Sequence, residues 1–510
     1  MSTRPEVVAP VALSALAELV GAARPSVDVA VTGVSVRSGS VRPGDLYAAL
    51  PGARAHGADF VTAARTAGAV AVLTDEAGRA AATASGLPTV VTGSPRAVLG
   101  EVSATVYGCP ASELVLVGVT GTQGKTTTTQ LLHGALAAAG RRTAVIGTLG
   151  TWIAGEQLDT ALTTPEASDL HALFAVMRER GVEVCAMEVS SHALVLHRVD
   201  GVVFDVAAFV NFGRDHLDFH GDVEHYFAAK ASLLTPQRAK LALLNLDDPA
   251  VARLRSRLEV PVRTFSATGA DADWRCADVD LGADGAQFTV LGPAGVRTRV
   301  TSRLVGDFNV ANALAALAAA GEAGFDVPSA AVGLGQVTSV GGRLERVEAG
   351  QDFAVVVDYA HKPDAVAAAL GAMRAVTPGR LWVVLGAGGD RDAGKRELMG
   401  EAAGRLADVV VVTDDNPRTE EPAGIRRALI AGVRRGVATT GVPAREVYEV
   451  AGRRAAIERA IAGARGGDTV LIAGKGHESG QEVGDVRTPF DDRVVAREVL
   501  ARLADAAPSS

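Results

Sequence analysis

The chain has 510 residues, 48% of them hydrophobic and 21% charged, with a net charge of −8. This composition excludes a disordered or fibrous chain, and the length fits about three domains. The acidic balance argues against a nucleic-acid binder, and Cys109, Cys185 and Cys276 are too few for a disulfide framework, so a cytoplasmic protein working on small molecules is expected.

From the N-terminus, residues 7–23 are mildly apolar. Pro10, Glu18 and the lack of a basic start make them a packed helix rather than a signal peptide. No run nears the roughly 20 apolar residues that span a bilayer, so membrane insertion is not expected. A boundary falls near Cys109-Pro110. Beyond it, short Val/Ile/Leu runs alternate with Ala-rich helical stretches, which implies βαβ units and largely parallel sheets. Strands are predicted at 114–120, 143–147, 182–189, 203–210, 240–245, 353–358, 381–386, 409–413 and 469–473. A helix is predicted at 127–139, closed by Gly140. Residues 271–300 read as alternating strands with glycine turns, a small β insertion. A second boundary falls near Val340-Gly341-Gly342, and the tail 506–510 is expected to fray. The domains are therefore placed at 1–111, 112–341 and 342–510. Most strands run into polar or glycine-rich sequence, and open α/β sheets collect ligands at the carboxyl ends of their strands.

The first motif is Thr120-Gly121-Thr122-Gln123-Gly124-Lys125-Thr126-Thr127, between a strand and a helix. Its glycines let backbone N–H groups turn around phosphates, and the helix N-terminus adds a favourable dipole. Lys125 can reach the outer phosphates and Thr126 can ligate Mg²⁺. Glu188-Val189-Ser190-Ser191-His192 follows another strand and places an acid where Mg²⁺ would lie. Asn211, Asp215-His216-Leu217-Asp218-Phe219-His220, Tyr226 and Lys230 form a third group, within a stretch that holds six of the ten histidines. Oxygen ligands beside a P-loop favour Mg²⁺ over zinc. Asn309 and Asn312 open a helix, where paired amides could read a base edge or simply cap. The last third adds Gly342-Arg343, Asp358-Tyr359-Ala360-His361, Gly388-Gly389-Asp390-Arg391-Asp392, Asp415-Asn416-Pro417-Arg418 and Gly474-Lys475-Gly476-His477-Glu478. All but the first follow strands, and as a set on one sheet edge they form a second ligand site.

Lysine usage sharpens the reading. Six lysines, at 125, 230, 240, 362, 395 and 475, stand among 50 basic residues. Where arginine has replaced lysine so widely, the survivors are candidates for chemistry that needs an ammonium. Five lie in or beside motifs, and Lys240 does not.

Together these motifs resemble the Mur ligases, which build the peptide stem of bacterial cell-wall precursors. The resemblance runs from about Val31 to Arg493 and is strongest to the branch that adds diaminopimelate. It implies an α/β chain of three domains: a uridine-nucleotide-binding α/β domain, a central P-loop ATPase with a parallel sheet, and a Rossmann-like C-terminal domain for the incoming amino acid. It implies ATP contacts from Gly121, Thr122, Gln123, Gly124, Lys125, Thr126, Thr127, Asn309, Arg343 and Asp358. Ser38, Thr163, Thr164, Ser190 and Arg198 match contacts to the UDP-linked dipeptide. Arg391, Asp415, Asn416, Arg418, Gly474 and Glu478 match the diaminopimelate site. Thr126, Glu188, His216 and Lys230 match the ligands of two Mg²⁺ ions, with Lys230 carbamylated to N6-carboxylysine. Lys125, Lys230, Glu188 and His216 are the implied catalytic set. The uridine motif, usually Asp-Ser-Arg, here reads Arg37-Ser38-Gly39, and Gln123 stands where Asn is common.

The reaction implied is ATP-driven amide synthesis through an acyl phosphate, by a monomer acting on ATP, UDP-N-acetylmuramoyl-dipeptide and diaminopimelate. A P-loop switch or motor, a folate-polyglutamylating relative and a binding-only descendant are the competing readings. For Arg418, the competing expectation is a plain ion pair with Glu420 or Glu421.

Overall fold

The computed structural model describes residues 2–158, 160–440 and 446–506. Residues 507–510 of the tail expected to fray lie outside the described residues, and Ala506 ends a helix. The chain forms two compact units. One comprises Met1–Cys276, Val290–Thr298 and Leu314–Leu334; the other comprises Ala277–Thr289, Arg299–Ala313 and Gly335–Ser510.

The first unit begins with a four-stranded parallel sheet, Gly33–Ser35, Asp45–Ala48, Ala71–Thr74 and Thr89–Val91, in sequence order. Leu13, Leu46, Leu73 and Leu99 lie in its core. The helix Pro95–Val106 covers it, with Pro95 in the first turn and the Ser94 hydroxyl accepting from Ala97 N. The helix expected over 7–23 is shorter, Leu13–Leu19, and follows a two-residue strand, Val11–Ala12. Pro10 disfavours a helical residue before it, and Gly21, at φ 64, turns the chain away after it.

The same unit holds a second parallel sheet, ordered Thr143–Gly147, Val184–Glu188, Val115–Thr120, Val206–Phe209, Ala242–Asn245 and Val262–Ser266. An antiparallel hairpin, Gly150–Ile153 and Glu156–Leu158, extends its first edge. Its strands are almost wholly buried, which is why they read as continuous apolar runs. The chain leaves Val115–Thr120 on one side and later returns on the other. The carboxyl ends of Val115–Thr120, Val184–Glu188 and Val206–Phe209 therefore open at one switch point. The helix after the P-loop runs Lys125–Ala138, two residues earlier than expected, because Gly124 takes the left-handed conformation at its N-cap.

In the second unit, Ala354–Asp358, Thr469–Ala473, Leu381–Leu385, Val409–Val412 and Glu446–Glu449 pair in parallel in that order. Glu345–Arg346 pairs antiparallel at the edge. The last strand in sequence inserts between the first two, so four motif-bearing loops leave adjacent strand ends. In the expected β insertion lie the strands Trp274–Gly282, Gly285–Leu291 and Arg297–Ser302. No described helix is long and apolar enough to cross a membrane.

Candidate active site

The P-loop is held by groups far away in sequence. Thr122 N and Gln123 N donate to Asn211 Oδ1 at 3.1 and 2.8 Å, and Asn211 Nδ2 donates back to Gln123 O at 3.0 Å. The Thr122 hydroxyl accepts from Gly213 N at 2.9 Å and lies 3.2 Å from the Tyr226 hydroxyl. Two lysines converge here. Lys125 Nζ donates to Gly121 O at 2.9 Å, and Lys230 Nζ donates to the same oxygen at 2.7 Å. Lys230 is 2% exposed, with its ammonium 4.8 Å from the centre of the Tyr226 ring. Two ammonium groups on one carbonyl repel each other and attract an anion. Thr126 and Thr127 are buried at the start of the helix. Asn211 had been noted in the sequence without a role. Nothing in its local context announces that it clamps a loop 88 residues away.

Glu188 ends its strand and is 1% exposed. Its carboxylate accepts from Thr148 N at 2.7 Å and from the Thr148 hydroxyl at 3.1 Å. A Cβ on Gly147 would collide with it. The Thr164 hydroxyl donates to Glu188 O at 2.8 Å and accepts from Ser190 N at 3.2 Å, while Thr163 and Thr148 hydroxyls lie 3.1 Å apart. The structure therefore gathers Glu188, Thr163, Thr164 and Ser190 into one patch.

Of the clustered histidines, three pack together. His192 lies 4.8 Å from His216 and 5.5 Å from His220, ring to ring, with Phe219 at 4.1 Å. Burial pushes the His192 imidazole down to about 4, helped by the neighbouring His216 and His220. His216 pairs with Asp215 at 3.0 Å. His171, His197 and His225 have other partners: His171 lies 3.1 Å from Asp200 O, His197 pairs with Asp200, and His225 with Asp222. Among the described residues, no three His, Cys, Asp or Glu side chains gather as a ligand set.

A cleft of about 450 Å³ opens beside the N-terminal sheet, lined among others by Arg37, Ser38, Tyr47, Phe60, Arg96 and Glu166. Glu166 is held from two sides, by Arg96 at 2.9 Å and Arg198 at 2.9 Å. Arg37 pairs with Asp169 at 2.9 Å. Ser38 is thus in the cleft, and Arg198 meets it through Glu166. Tyr47, Phe60, Arg96 and Glu166 escaped the sequence reading because they belong to no motif.

In the second unit, Asp358 accepts from Leu344 N at 2.7 Å and Ala360 N at 2.8 Å. Burial raises its carboxyl, against the lowering pull of Arg343 and the two amides. Arg343 stacks 4.8 Å from the Tyr359 ring, which lies 4.9 Å from His477. Asn309 Nδ2 donates to Val305 O at 2.8 Å and its Oδ1 accepts from Asn312 at 3.0 Å, so both amides are engaged at the helix start.

Asp415, Asn416, Arg418, Gly474 and Glu478 come together at adjacent strand ends. Asn416 Nδ2 donates to Glu478 Oε2 at 3.0 Å. A Cβ on Gly474, at φ 120, would lie 2.6 Å from Asp415 Oδ2. Arg418 Nε donates to Glu482 at 3.0 Å and Nη1 to Gly389 O at 2.7 Å. The competing expectation was an ion pair with Glu420 or Glu421. Arg396 instead engages Glu420 at 2.7 Å, and Glu421 caps its own turn through Ala423 N and Gly424 N. Arg391 is exposed, with its stem beside Gly388, whereas Arg418 is half-buried, with its guanidinium beside the same glycine.

Comparison with known proteins places the whole chain in one family. The chain matches the catalytic domain of the Mur ligase family over residues 30–107, the Mur ligase middle domain over 119–320, and the Mur ligase glutamate ligase domain over 342–476. It belongs to the Mur ligase family. It is 54% identical over 501 residues to the UDP-N-acetylmuramoyl-L-alanyl-D-glutamate–2,6-diaminopimelate ligase of Streptomyces avermitilis, covering 98% of both chains. It is 47% identical to that of Corynebacterium glutamicum, covering 92% of both. A solved ligase of the same name is 34% identical, with a TM-score of 0.66 over 93% of this chain and 96% of that one. The MurF ligase of Thermotoga maritima in complex with ADP, at 19% identity and a TM-score of 0.63, covers 93% of this chain and 98% of its own and shares the fold.

Proposed function

We propose that the chain is an ATP-dependent ligase that adds diaminopimelate to UDP-N-acetylmuramoyl-L-alanyl-D-glutamate through an acyl phosphate, in peptidoglycan precursor synthesis. The observation that carries the reading is the convergence of Lys125 and Lys230 on Gly121 O, in a P-loop locked by Asn211. The nearly full-length identity to diaminopimelate ligases names the substrates.

A carboxylate is a poor electrophile, and phosphorylation by ATP makes it an acyl phosphate that an amine can attack. The P-loop amides and Lys125 bind the phosphates and offset the charge of two anions brought together. Asn309, Arg343 and Asp358 hold the rest of the nucleotide. The cleft beside Ser38 takes the uridine end, with Thr163, Thr164, Ser190 and Arg198 on the muramoyl-dipeptide. Arg391, Asp415, Asn416, Arg418, Gly474 and Glu478 receive the amino acid.

Thr126, Glu188, His216 and Lys230 would hold two Mg²⁺ ions. The donor set fits: a buried carboxylate and a hydroxyl are hard ligands, and Lys230 as a carbamate would add a third oxygen donor. Bound Mg²⁺ would offset phosphate charge and orient the acceptor carboxylate. Carbamylation also removes the repulsion between Lys230 and Lys125, and it needs a primary amine, which arginine lacks. Domains at 1–111, 112–341 and 342–510, a cytoplasmic location and a monomeric state complete the proposal.

The test is phosphate release. ADP and phosphate should appear when ATP, the UDP-dipeptide and diaminopimelate are all present. Equal release without the amino acid would refute the ligase reading.

A further inference from the structure

Lys475 has no solvent exposure and no place in the roles assigned above. It follows the strand Thr469–Ala473, the one inserted between Ala354–Asp358 and Leu381–Leu385. Its Nζ donates to Asn416 Oδ1 at 2.9 Å and to Glu478 Oε2 at 2.9 Å. Asn416 Nδ2 donates to that same Glu478 oxygen at 3.0 Å. The three side chains close a ring, and Glu482 N adds a fourth bond, to Asn416 Oδ1 at 3.1 Å.

This ring fixes which atoms remain for a ligand. Asn416 Oδ1 receives two donors, so the carboxamide cannot flip without setting its NH₂ group against the Lys475 ammonium. One Nδ2 hydrogen is left over. Glu478 Oε2 receives both Lys475 and Asn416, and Oε1 accepts no hydrogen bond among the described residues. The other nearby charges are committed elsewhere. Arg453, fully buried, pairs with Asp492 at 2.7 Å and lies 3.8 Å from Asp415, while Glu482 pairs with Arg418. Among the described residues, Lys475 is therefore the cation hydrogen-bonded to Glu478, with Arg453 acting on it only at longer range. What the ring presents is a carboxylate oxygen beside an amide N–H, with the Arg418 guanidinium on the same loop. That arrangement complements a zwitterionic head group: an ammonium for Glu478, a carboxylate for Asn416 and Arg418.

We propose that Lys475 is a positioning residue that sets the polarity of this site, holding Asn416 with its N–H outward and Glu478 with one oxygen free, and so selects an amino acid carrying an ammonium and a carboxylate at its far end. The inference rests on the diaminopimelate-ligase reading. Arginine could not replace the lysine in a fully enclosed space, which accounts for its retention in a lysine-poor chain.

The test uses the full-length enzyme and three substrates. Lys475→Met should raise KM for diaminopimelate about 30-fold or more, the scale of losing charge-assisted hydrogen bonds in a buried network. KM for ATP and for the UDP-dipeptide should stay within about threefold, since those sites share no bond with the ring. The preference for diaminopimelate over an analogue lacking the far carboxylate should shrink by a similar factor. Adding Asn416→Ala to Lys475→Met should cost much less than Asn416→Ala costs alone, because Lys475 acts through Asn416. If Lys475→Met does not fold, Lys475→Gln, which is smaller and keeps a polar N–H, is read in the same cycle, with the same non-additivity expected. Unchanged KM for diaminopimelate, an equal rise in all three constants, or additive losses would overturn the proposal. A wild-type enzyme that releases no phosphate in response to diaminopimelate would instead refute the underlying reading.

Discussion

Arg418 offers the sharpest test of amino-acid choice. It staples the Asp-Asn-Pro-Arg loop in place: Nη1 donates to Gly389 O, Nε to Glu482, and its backbone exchanges hydrogen bonds with Glu482 O and Gly484 N. The guanidinium is 26% exposed and Glu482 40% exposed, so the pair is half-wet. Truncating one partner of a fully buried charge pair costs ~2–5 kcal/mol, and exposed pairs contribute ~0–1. A carboxylate bound by Arg418 should therefore contribute about 1–3 kcal/mol, or roughly 5- to 150-fold in KM for diaminopimelate on Arg418→Ala. Lysine lacks the far carboxylate and has no such contact to lose, so the preference for diaminopimelate should fall by the same factor. Steady-state kinetics with both amino acids, at fixed saturating ATP and UDP-dipeptide, measures this directly. A melting curve separates it from loss of the staple, for which about 1 kcal/mol of stability is expected. If the variant folds and its KM for diaminopimelate stays within twofold of wild type, Arg418 is a structural staple and not a substrate contact.

Three further outcomes are expected. Lys230→Arg keeps a positive charge but cannot carry a stable carbamate, and its kcat should fall at least ~10²-fold, as for loss of a charge-stabilising group; near-normal turnover would exclude the carbamate. Asn211→Ala removes the acceptor of two P-loop amides and the donor to Gln123 O. At about 1 kcal/mol per bond it should raise KM for ATP some ~10- to 100-fold while sparing the other two constants, and an equal effect on all three would mean that the clamp acts on the whole fold. His171 is fully buried, and burial pushes its imidazole from 6.5 down to about 4. The unfolded chain therefore binds more protons below pH 6.5, and stability present above that pH is lost as pH falls toward 4. Between pH 7 and 5 this one group should remove about 2 kcal/mol. His171→Gln, which keeps an N–H for Asp200 O, should flatten the pH dependence of urea unfolding by that amount; unchanged slopes would place the acid sensitivity elsewhere.

The strands of the central and C-terminal sheets could be read from sequence because buried parallel strands are continuous apolar runs. Their ends could not, since an apolar residue at the end of a run can serve a neighbour. Val182 is buried, yet its N–H closes the preceding helix on Met177 O, so the strand begins at Val184. The strands of the N-terminal sheet were missed for a different reason. Gly33–Ser35 and Thr89–Val91 have three residues each, too few to display a period. The site divides in the same way. Residues in contiguous motifs at strand ends were found, because parallel pairing brings those ends together whatever the detail. The clamping role of Asn211, and Glu482 and the Arg96–Glu166 pair altogether, were not, because their partners lie 88, 64 and 70 residues away and only the folded register joins them.

Lysine scarcity crossed that divide in part. It pointed to residues without saying what they do, and the geometry shows what sets them apart. Lys125, Lys230 and Lys475 each aim a compact ammonium at carbonyl, carboxamide or carboxylate oxygens, and Lys230 and Lys475 do so where almost no surface is exposed. Lys240, outside every motif, makes an exposed ion pair with Asp205 at 2.7 Å, a contact that arginine could equally make. The distinction is steric and chemical together. A planar guanidinium needs room and a forked acceptor, whereas an ammonium can close a tight ring or accept a carboxyl group on its nitrogen. Where a sequence replaces lysine wherever surface charge suffices, the buried lysines that remain mark positions where shape or nucleophilicity leaves no substitute, and in this chain they lie at the P-loop and at the loop after Thr469–Ala473.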